Sequence, residues 1–182
     1  MADDKTENGE AEATDSPIPE ARFTADPGEA GEEEAPRLLI TGQYIKDLSF
    51  EAPNTPEVFS LLQSEMPNIP ISIDLNASQQ GDNNFEVVLT VRAEATVKDT
   101  LAYIAEVAYA GLFQINVPED FLSAVLLIDC PLILFPYLRK IISDVTADGG
   151  FAPLMLAPVD FAALYQQKME EEQAAADQAE KS

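Results

Sequence analysis

The sequence predicts an α+β fold, in which an antiparallel sheet comes first along the chain and helices pack on one of its faces. Four segments between residues 42 and 117 alternate apolar and polar side chains with period two, as half-buried strands do. After residue 117 the apolar residues recur at helical spacing. Strands followed by helices, without an internal repeat, favour this class.

The third segment, "NFEVVLTVRAEATV" (84–97), alternates most clearly. Apolar side chains from Phe85 to Val97 take one face, and polar side chains such as Arg92 and Glu94 take the other. The segment before it, "ISIDLNA" (71–77), alternates in the same way. The polar run "SQQGDNN" (78–84) between them has turn chemistry, which predicts an antiparallel hairpin.

The first and fourth segments differ in how polar their faces are. In "GQYIKDLSFEAP" (42–53), one face is predicted to carry Tyr44, Leu48 and Phe50, and the other Asp47 and Glu51. In "TLAYIAEVAYAGLFQINV" (100–117), Ile104 and Glu106 lie opposite Leu101, Tyr103, Val107 and Tyr109. Neither face of this fourth segment is clearly polar. Both faces then need a cover, which predicts a second subunit.

Helix signals begin at Thr55-Pro56, where a cap residue followed by proline predicts a short helix in "PEVFSLL" (56–62). Asn116 and Glu119 have capping-box spacing and predict the start of a long helix. Gly149-Gly150 predicts its end, and 151–159 reads as an apolar linker. Asp160 is then expected to cap a last helix.

The stretch "FLSAVLLIDCPLILFPYL" (121–138) is the most apolar part of the chain and has three interpretations. A membrane span is disfavoured because Asp129 would lie near the bilayer centre and because Pro131 and Pro136 interrupt the helix. Burial in the chain's own core explains part of it. Since 124–128 is apolar on all sides of a helix, we expect another copy to cover the rest, which predicts a homo-oligomer.

Charge is distributed unevenly over the 182 residues, whose net charge is −23. Residues 1–36 are rich in acids and poor in apolar residues, so they are predicted to be a disordered acidic arm. Residues 37–169 are predicted to form the globular domain, and 170–182 a second disordered acidic tail. With ten lysines and arginines in all, direct nucleic-acid binding is disfavoured and a basic protein partner is favoured.

Residues suited to catalysis or metal binding are scarce. The chain has no histidine, which removes the commonest general base and transition-metal ligand, and its glycines form no phosphate-binding pattern. Cys130, the single cysteine, could be a reactive thiol, but an inert buried cysteine is the stronger interpretation. We therefore expect no enzyme, catalytic residue, cofactor or metal; a carboxylate-dependent enzyme is the weaker alternative. The absence of an internal disulfide and of a signal pattern predicts a cytoplasmic protein.

Four stretches resemble the SecB protein-export chaperones. They are "YIKDLSFEAPN" (44–54), "FEVVLTV" (85–91), "CPLILFPYLRK" (130–140) and "LAPVDFAALY" (156–165). The resemblance implies a four-stranded antiparallel sheet with a long helix and a C-terminal helix on one face, assembled as a dimer of dimers. It also implies that the protein holds precursors unfolded without ATP and delivers them to the SecA translocation ATPase. A general holdase of the same fold without an export role is the alternative.

The resemblance also implies residue roles. A small basic tail of SecA would meet Asp47, Glu51, Ile104 and Glu106, and the family's dimers would meet at Tyr103, Ala105, Val107 and Tyr109. Unfolded clients need aromatic and aliphatic grooves that read little sequence. The candidates for client binding are Tyr44, Phe50, Leu126, Phe151, Leu154 and Leu156, and for each of them core packing is the competing explanation.

Overall fold

Four antiparallel strands form one sheet, as the period-two segments predicted. The computed structural model describes residues 37–167 and 169–170, so the predicted arm 1–36 and all but the first residue of the predicted tail lie outside the described residues. The strands are β1 (Leu38–Glu51), β2 (Ile71–Gly81), β3 (Asn84–Val97) and β4 (Thr100–Ile115), in the spatial order β1-β4-β3-β2. The predicted α+β class is confirmed.

The hairpin between β2 and β3 is also confirmed, and β3 has the predicted faces. Its odd-numbered residues from Val87 to Ala95 are fully buried, whereas Arg92 and Glu94 are exposed. The β3–β4 turn uses Lys98 and Asp99, which both have positive φ, as a two-residue turn matching the twist of the strands requires.

Strand β1 departs from simple alternation because it contains two bulges. Its register against β4 shifts between Ile40 and Gly42 and again between Ile45 and Asp47. Each extra residue in β1 changes which of the following side chains lie on a given face of the sheet. Tyr44 therefore lies on the opposite face from Phe50, and the prediction that Tyr44, Leu48 and Phe50 share a face is wrong for Tyr44.

The helices pack on one face of the sheet, which we call the helix face; the opposite face is the open face. After β1 comes α1 (Val58–Leu62). After β4 one continuous helix comprises α2 (Glu119–Ala124), a π turn (Val125–Asp129) and α3 (Cys130–Asp148). The π turn ends two residues before Pro131, where the helix has to accommodate a missing N–H.

The predicted capping box at the start of this helix is wrong. The helix begins at Glu119 without a side-chain cap. The Asn116 side chain is used elsewhere, since its Oδ1 accepts a hydrogen bond from Asn83 Nδ2 at 3.0 Å.

The core lies between α3 and the sheet. Leu134, Leu138 and Ile142 of α3 are fully buried, as are Leu89 and Val107 on the helix face. By length and composition the helix Glu119–Asp148 could cross a membrane, with a mean hydropathy of 2.1 over its most apolar window, of which 28% is buried. Its buried side packs on the sheet like a core helix, and much of its remaining apolar surface is uncovered within the described chain.

The linker (151–159) leads to a last helix, α4 (161–167). The Asp160 Oδ1 accepts the N–H of Ala163 at 3.0 Å, so Asp160 caps this helix as predicted. Phe161 is buried edge-on against Phe135, with ring centroids 6.0 Å apart, and this contact holds α4 against α3.

Candidate functional site on two faces of the sheet

The four residues predicted to dock a basic partner lie together on the open face. Glu51 pairs directly with Ile104, and Asp47 pairs with Ala108. These two positions of β4 flank Glu106, which lies two residues from each of them. Because directly paired residues share a face, all four side chains form one patch across β1 and β4. We call Asp47, Glu51, Ile104 and Glu106 the acidic patch.

One cation of β3 borders the acidic patch. Arg92 pairs across the strands with Glu106, and its Nη1 lies 2.9 Å from Glu106 Oε2. Its Nη2 also lies 3.7 Å from Glu94 Oε2. Asp47 and Glu51 are exposed, and no lysine or arginine of the described residues 37–167 and 169–170 forms an ion pair with either carboxylate.

Tyr44 takes part in a separate polar cluster on the open face. Its hydroxyl donates to Glu86 Oε1, and Lys46 Nζ lies 2.7 Å from Glu86 Oε2. The hydrogen bonds from Lys46 and Tyr44 hold the pKa of the Glu86 carboxyl below its ordinary value. The bond to Glu86 raises the pKa of Tyr44. Tyr44 is therefore separated from the other client-binding candidates by the sheet.

An aromatic cluster lies on the helix face, where β1 and α3 end. The Phe151 ring lies 4.9 Å from Tyr103, 5.1 Å from Phe59 and 6.1 Å from Phe50, measured between ring centroids. Phe50 also stacks on Tyr103 at 5.7 Å. Three of these rings line a pocket of about 290 Å³, which we call the aromatic pocket; it is bordered by Phe59, Leu62, Gln63, Pro67, Ile69, Ala102, Tyr103, Gly150, Phe151 and Ala152.

The aromatic cluster fits against the end of α3 because the two residues that follow the helix, Gly149 and Gly150, have no side chain. A Cβ placed on Gly149 would overlap the Phe50 ring at Cζ and Cε1. Gly150 has φ of +85°, a left-handed conformation that turns the chain from α3 into the linker. Gly149 thus allows Phe50 to lie directly on the helix end.

The six client-binding candidates lie in four places, one of which is the position of Tyr44 on the open face. Phe50 and Phe151 meet in the aromatic cluster, and Leu154 is half-buried in the linker nearby. Leu126 borders a separate open groove of about 330 Å³ beside β2. Leu156 is 3% exposed and belongs to the core. Sequence reasoning missed Phe59, although the short helix that carries it was predicted.

The four residues predicted for the oligomer interface lie on the covered face of the sheet, beneath other parts of the same chain. Tyr103, Ala105, Val107 and Tyr109 are on the helix face, and none is more than 8% exposed. Tyr109 fits there because it stacks on Tyr137 of α3, with ring centroids 5.9 Å apart. Within the described chain these four side chains are therefore part of the core. On this face of β4, the cover that the sequence assigned to a second subunit comes from the same chain.

Among the titratable groups of the described residues, 37–167 and 169–170, the Cys130 thiol is buried in the core. Burial, followed by the nearby Asp129 carboxylate, raises the pKa of the Cys130 thiol to about 12. A fully buried thiol with so high a pKa carries almost no thiolate at neutral pH. Within that same part of the chain, no group of three or more His, Cys, Asp and Glu side chains could hold a metal ion.

Comparison with known proteins identifies the family. A family model described as preprotein translocase subunit SecB matches residues 31–172. The chain belongs to the SecB family. The protein-export protein SecB of Rhodospirillum rubrum is 46% identical over 151 residues, covering 82% of this chain and 93% of that protein. The SecB of Hyphomonas neptunium is 52% identical over 134 residues, covering 72% and 78%. The resemblance drawn from four stretches is confirmed.

A solved structure shares the fold. A SecB-like chaperone of Mycobacterium tuberculosis, in complex with a ChAD peptide from the HigA1 antitoxin, superposes with a TM-score of 0.57. The two chains are 17% identical, and the match covers 68% of this chain and 91% of that one. The family to which the chain belongs is one of protein export.

Proposed function

We propose that this SecB chain is a cytoplasmic, ATP-independent chaperone that holds precursor proteins unfolded and delivers them to the SecA translocation ATPase. The proposed work is binding, without a chemical step or a cofactor. One observation carries it. Phe50 and Glu51 are neighbours on β1, yet Phe50 joins the aromatic cluster on the helix face and Glu51 the acidic patch on the open face. Two chemically different surfaces therefore lie back to back on one strand.

The aromatic pocket suits an unfolded client. Its rings offer large apolar area with few polar groups, so an extended segment can place an aromatic or large aliphatic side chain there whatever the surrounding sequence. A folded protein keeps such side chains buried, so the pocket discriminates by exposure.

The acidic patch suits a cationic partner such as a basic segment of SecA. Asp47 and Glu51 are exposed, and Ile104 provides an apolar contact between the charges. Charge complementarity of this kind raises the association rate and is weakened by salt. Because the patch faces away from the aromatic pocket, client and SecA do not compete for the same surface.

The proposed assembly is a homotetramer, a dimer of dimers. Leu132 and Tyr137 of α3 are 50% and 51% exposed in the described chain, which leaves an apolar helix surface uncovered. Strand β1 is an edge strand that also exposes Ile45 and Leu48, at 47% and 43%. Uncovered apolar helices and a long unpaired edge are stabilised by contact with further copies.

The client part of the proposal is tested by light scattering. An unfolded outer-membrane precursor is diluted from denaturant with and without the protein, in the absence of nucleotide. The protein is expected to suppress aggregation at stoichiometric ratio. Undiminished scattering would refute the holding function.

The docking part is tested by the affinity for SecA at low salt. Asp47→Ala is expected to weaken binding roughly two- to five-fold, the range for one exposed charge pair. Asp74→Ala is the matched control, because Asp74 is an exposed carboxylate of the open face on β2, at the far edge of the sheet. Suppressed aggregation without measurable SecA binding would support the general holdase instead.

A further inference from the structure

Thr146 is a fully buried polar residue near the end of α3. Its hydroxyl lies 2.9 Å from the carbonyl oxygen of Ile142 and 3.0 Å from that of Ser143, and it donates its one proton to this pair. It also accepts the backbone N–H of Leu154 at 2.9 Å. The hydroxyl therefore joins the helix to the linker.

The linker has little else to hold its backbone. Pro153 and Pro158 have no N–H, and among the N–H groups from 152 to 159 only that of Leu154 is hydrogen-bonded within the described part of the chain. Just before this segment, Phe151 donates its N–H to the Thr146 carbonyl oxygen at 3.1 Å. Thr146 thus holds the linker at two points, with its carbonyl at Phe151 and its hydroxyl at Leu154.

The residues between these two points form part of the aromatic pocket. Phe151 and Ala152 line it, and the Phe151 ring contacts both Phe59 and Tyr103. Phe151 and Ala152 therefore form one wall of the aromatic pocket. The path that the linker takes from the end of α3 determines where this wall lies relative to the other pocket residues. Beyond Leu154, the burial of Leu156 in the core fixes the other end of the segment.

We propose that Thr146 is a positioning residue for client binding: its hydroxyl holds the linker so that Phe151 and Ala152 form a preorganised wall of the aromatic pocket. The ligand class is an extended peptide segment that carries an aromatic or large aliphatic side chain. Thr146 acts through the linker and does not touch the ligand. This inference rests on the proposed function, because it assigns the aromatic pocket to clients.

Preorganisation sets the size of the expected effect. Without the hydroxyl, the client has to order a linker that the wild-type chain holds in place before binding. Loss of one hydrogen bond corresponds to roughly a two- to ten-fold change in an equilibrium constant. Thr146→Val is therefore expected to weaken client binding by roughly two- to ten-fold, and Thr146→Ser, which keeps the hydroxyl, is expected to bind much as the wild type does.

The test combines affinity with hydrogen exchange. Because the chain has no tryptophan, an unfolded peptide with one tryptophan reports its own burial by its emission, and its Kd is measured for each variant. Exchange of the Leu154 amide is followed in the same proteins. Ile142→Val is the control, since it trims a buried α3 side chain while leaving the Thr146 hydroxyl and the linker bond in place.

The inference predicts that Thr146→Val alone both speeds Leu154 exchange and raises the Kd of the peptide. It is overturned if Thr146→Val binds as tightly as the wild type, or if Ile142→Val weakens binding equally, which would make the effect one of general stability. It is also overturned if Thr146→Ser behaves as Thr146→Val. A wild-type protein that binds no unfolded peptide would instead refute the proposed function, and the inference with it.

Discussion

Replacing Gly149 by alanine is expected to displace the Phe50 ring and loosen the aromatic cluster. The new Cβ would overlap Phe50 Cζ and Cε1, whereas non-bonded carbons settle at about 3.5–4.0 Å. The substitution causes no backbone strain, since Gly149 has φ of −70° and ψ of −2°, which alanine adopts freely. The whole penalty therefore comes from the ring.

The structure sets the magnitude. If Phe50 moves, it loses its ring contacts with Tyr103 at 5.7 Å and Phe151 at 6.1 Å. Aromatic pairs are worth about 0.5–1.5 kcal/mol each, so the loss is about 1–3 kcal/mol. Against it, exchanging glycine for alanine in a compatible conformation stabilises by about 0.4–1 kcal/mol through the unfolded chain. The two ranges combine to a net destabilisation of up to about 2.6 kcal/mol, with about 1.3 kcal/mol at their midpoints.

The assay is urea unfolding at fixed protein concentration, with a double-mutant cycle as the control. In a Phe50→Ala background the ring is absent, so Gly149→Ala should be neutral or stabilising. Peptide affinity, measured alongside, should fall in the single variant. Equal effects of Gly149→Ala with and without Phe50 would refute the reasoning, because the penalty would then not come from the ring.

Three further outcomes are expected. Because Lys46 and Tyr44 lower the folded-state pKa of Glu86, its contribution to stability is present above the ordinary glutamate pKa and lost as pH falls through the lowered value. Glu86→Gln should therefore flatten the loss of unfolding free energy in acid below about pH 4.5, and an unchanged acid limb would contradict this. Cys130, with a pKa of about 12 and no exposed surface, should resist alkylation at pH 8 until the chain is unfolded; rapid labelling of the native protein by mass spectrometry would contradict its burial. Leu132→Asp, at a half-exposed position of α3, should shift the sedimentation coefficient towards smaller species, whereas an unaltered assembly would exclude this helix surface from the interface.

Alternation predicted β3 well because both faces of that strand follow the sheet without interruption. It failed at Tyr44 because β1 carries two bulges. A bulge depends on how the strand pairs with β4, a segment some sixty residues away in sequence, and single-strand periodicity contains no information about that pairing. The same alternation still placed Asp47 and Glu51 correctly, since both follow the second bulge.

Periodicity and composition determined the α+β class, the helix-facing residues of β3, the acidic character of one surface and the absence of histidine chemistry. They could not decide what covers an apolar face. Tyr109 is covered by Tyr137 of the long helix, and Tyr103 by the rings of Phe50 and Phe151 of the same chain. Leu132 and Tyr137, by contrast, remain half-exposed within the described chain. Only the tertiary structure brought Phe50, Phe59, Tyr103 and Phe151 together and gave the Thr146 hydroxyl its partner in the linker. The alternation of apolar and polar side chains is a local property of the sequence. Contacts between distant segments depend on the register in which the strands pair, and that register is fixed only in the folded sheet.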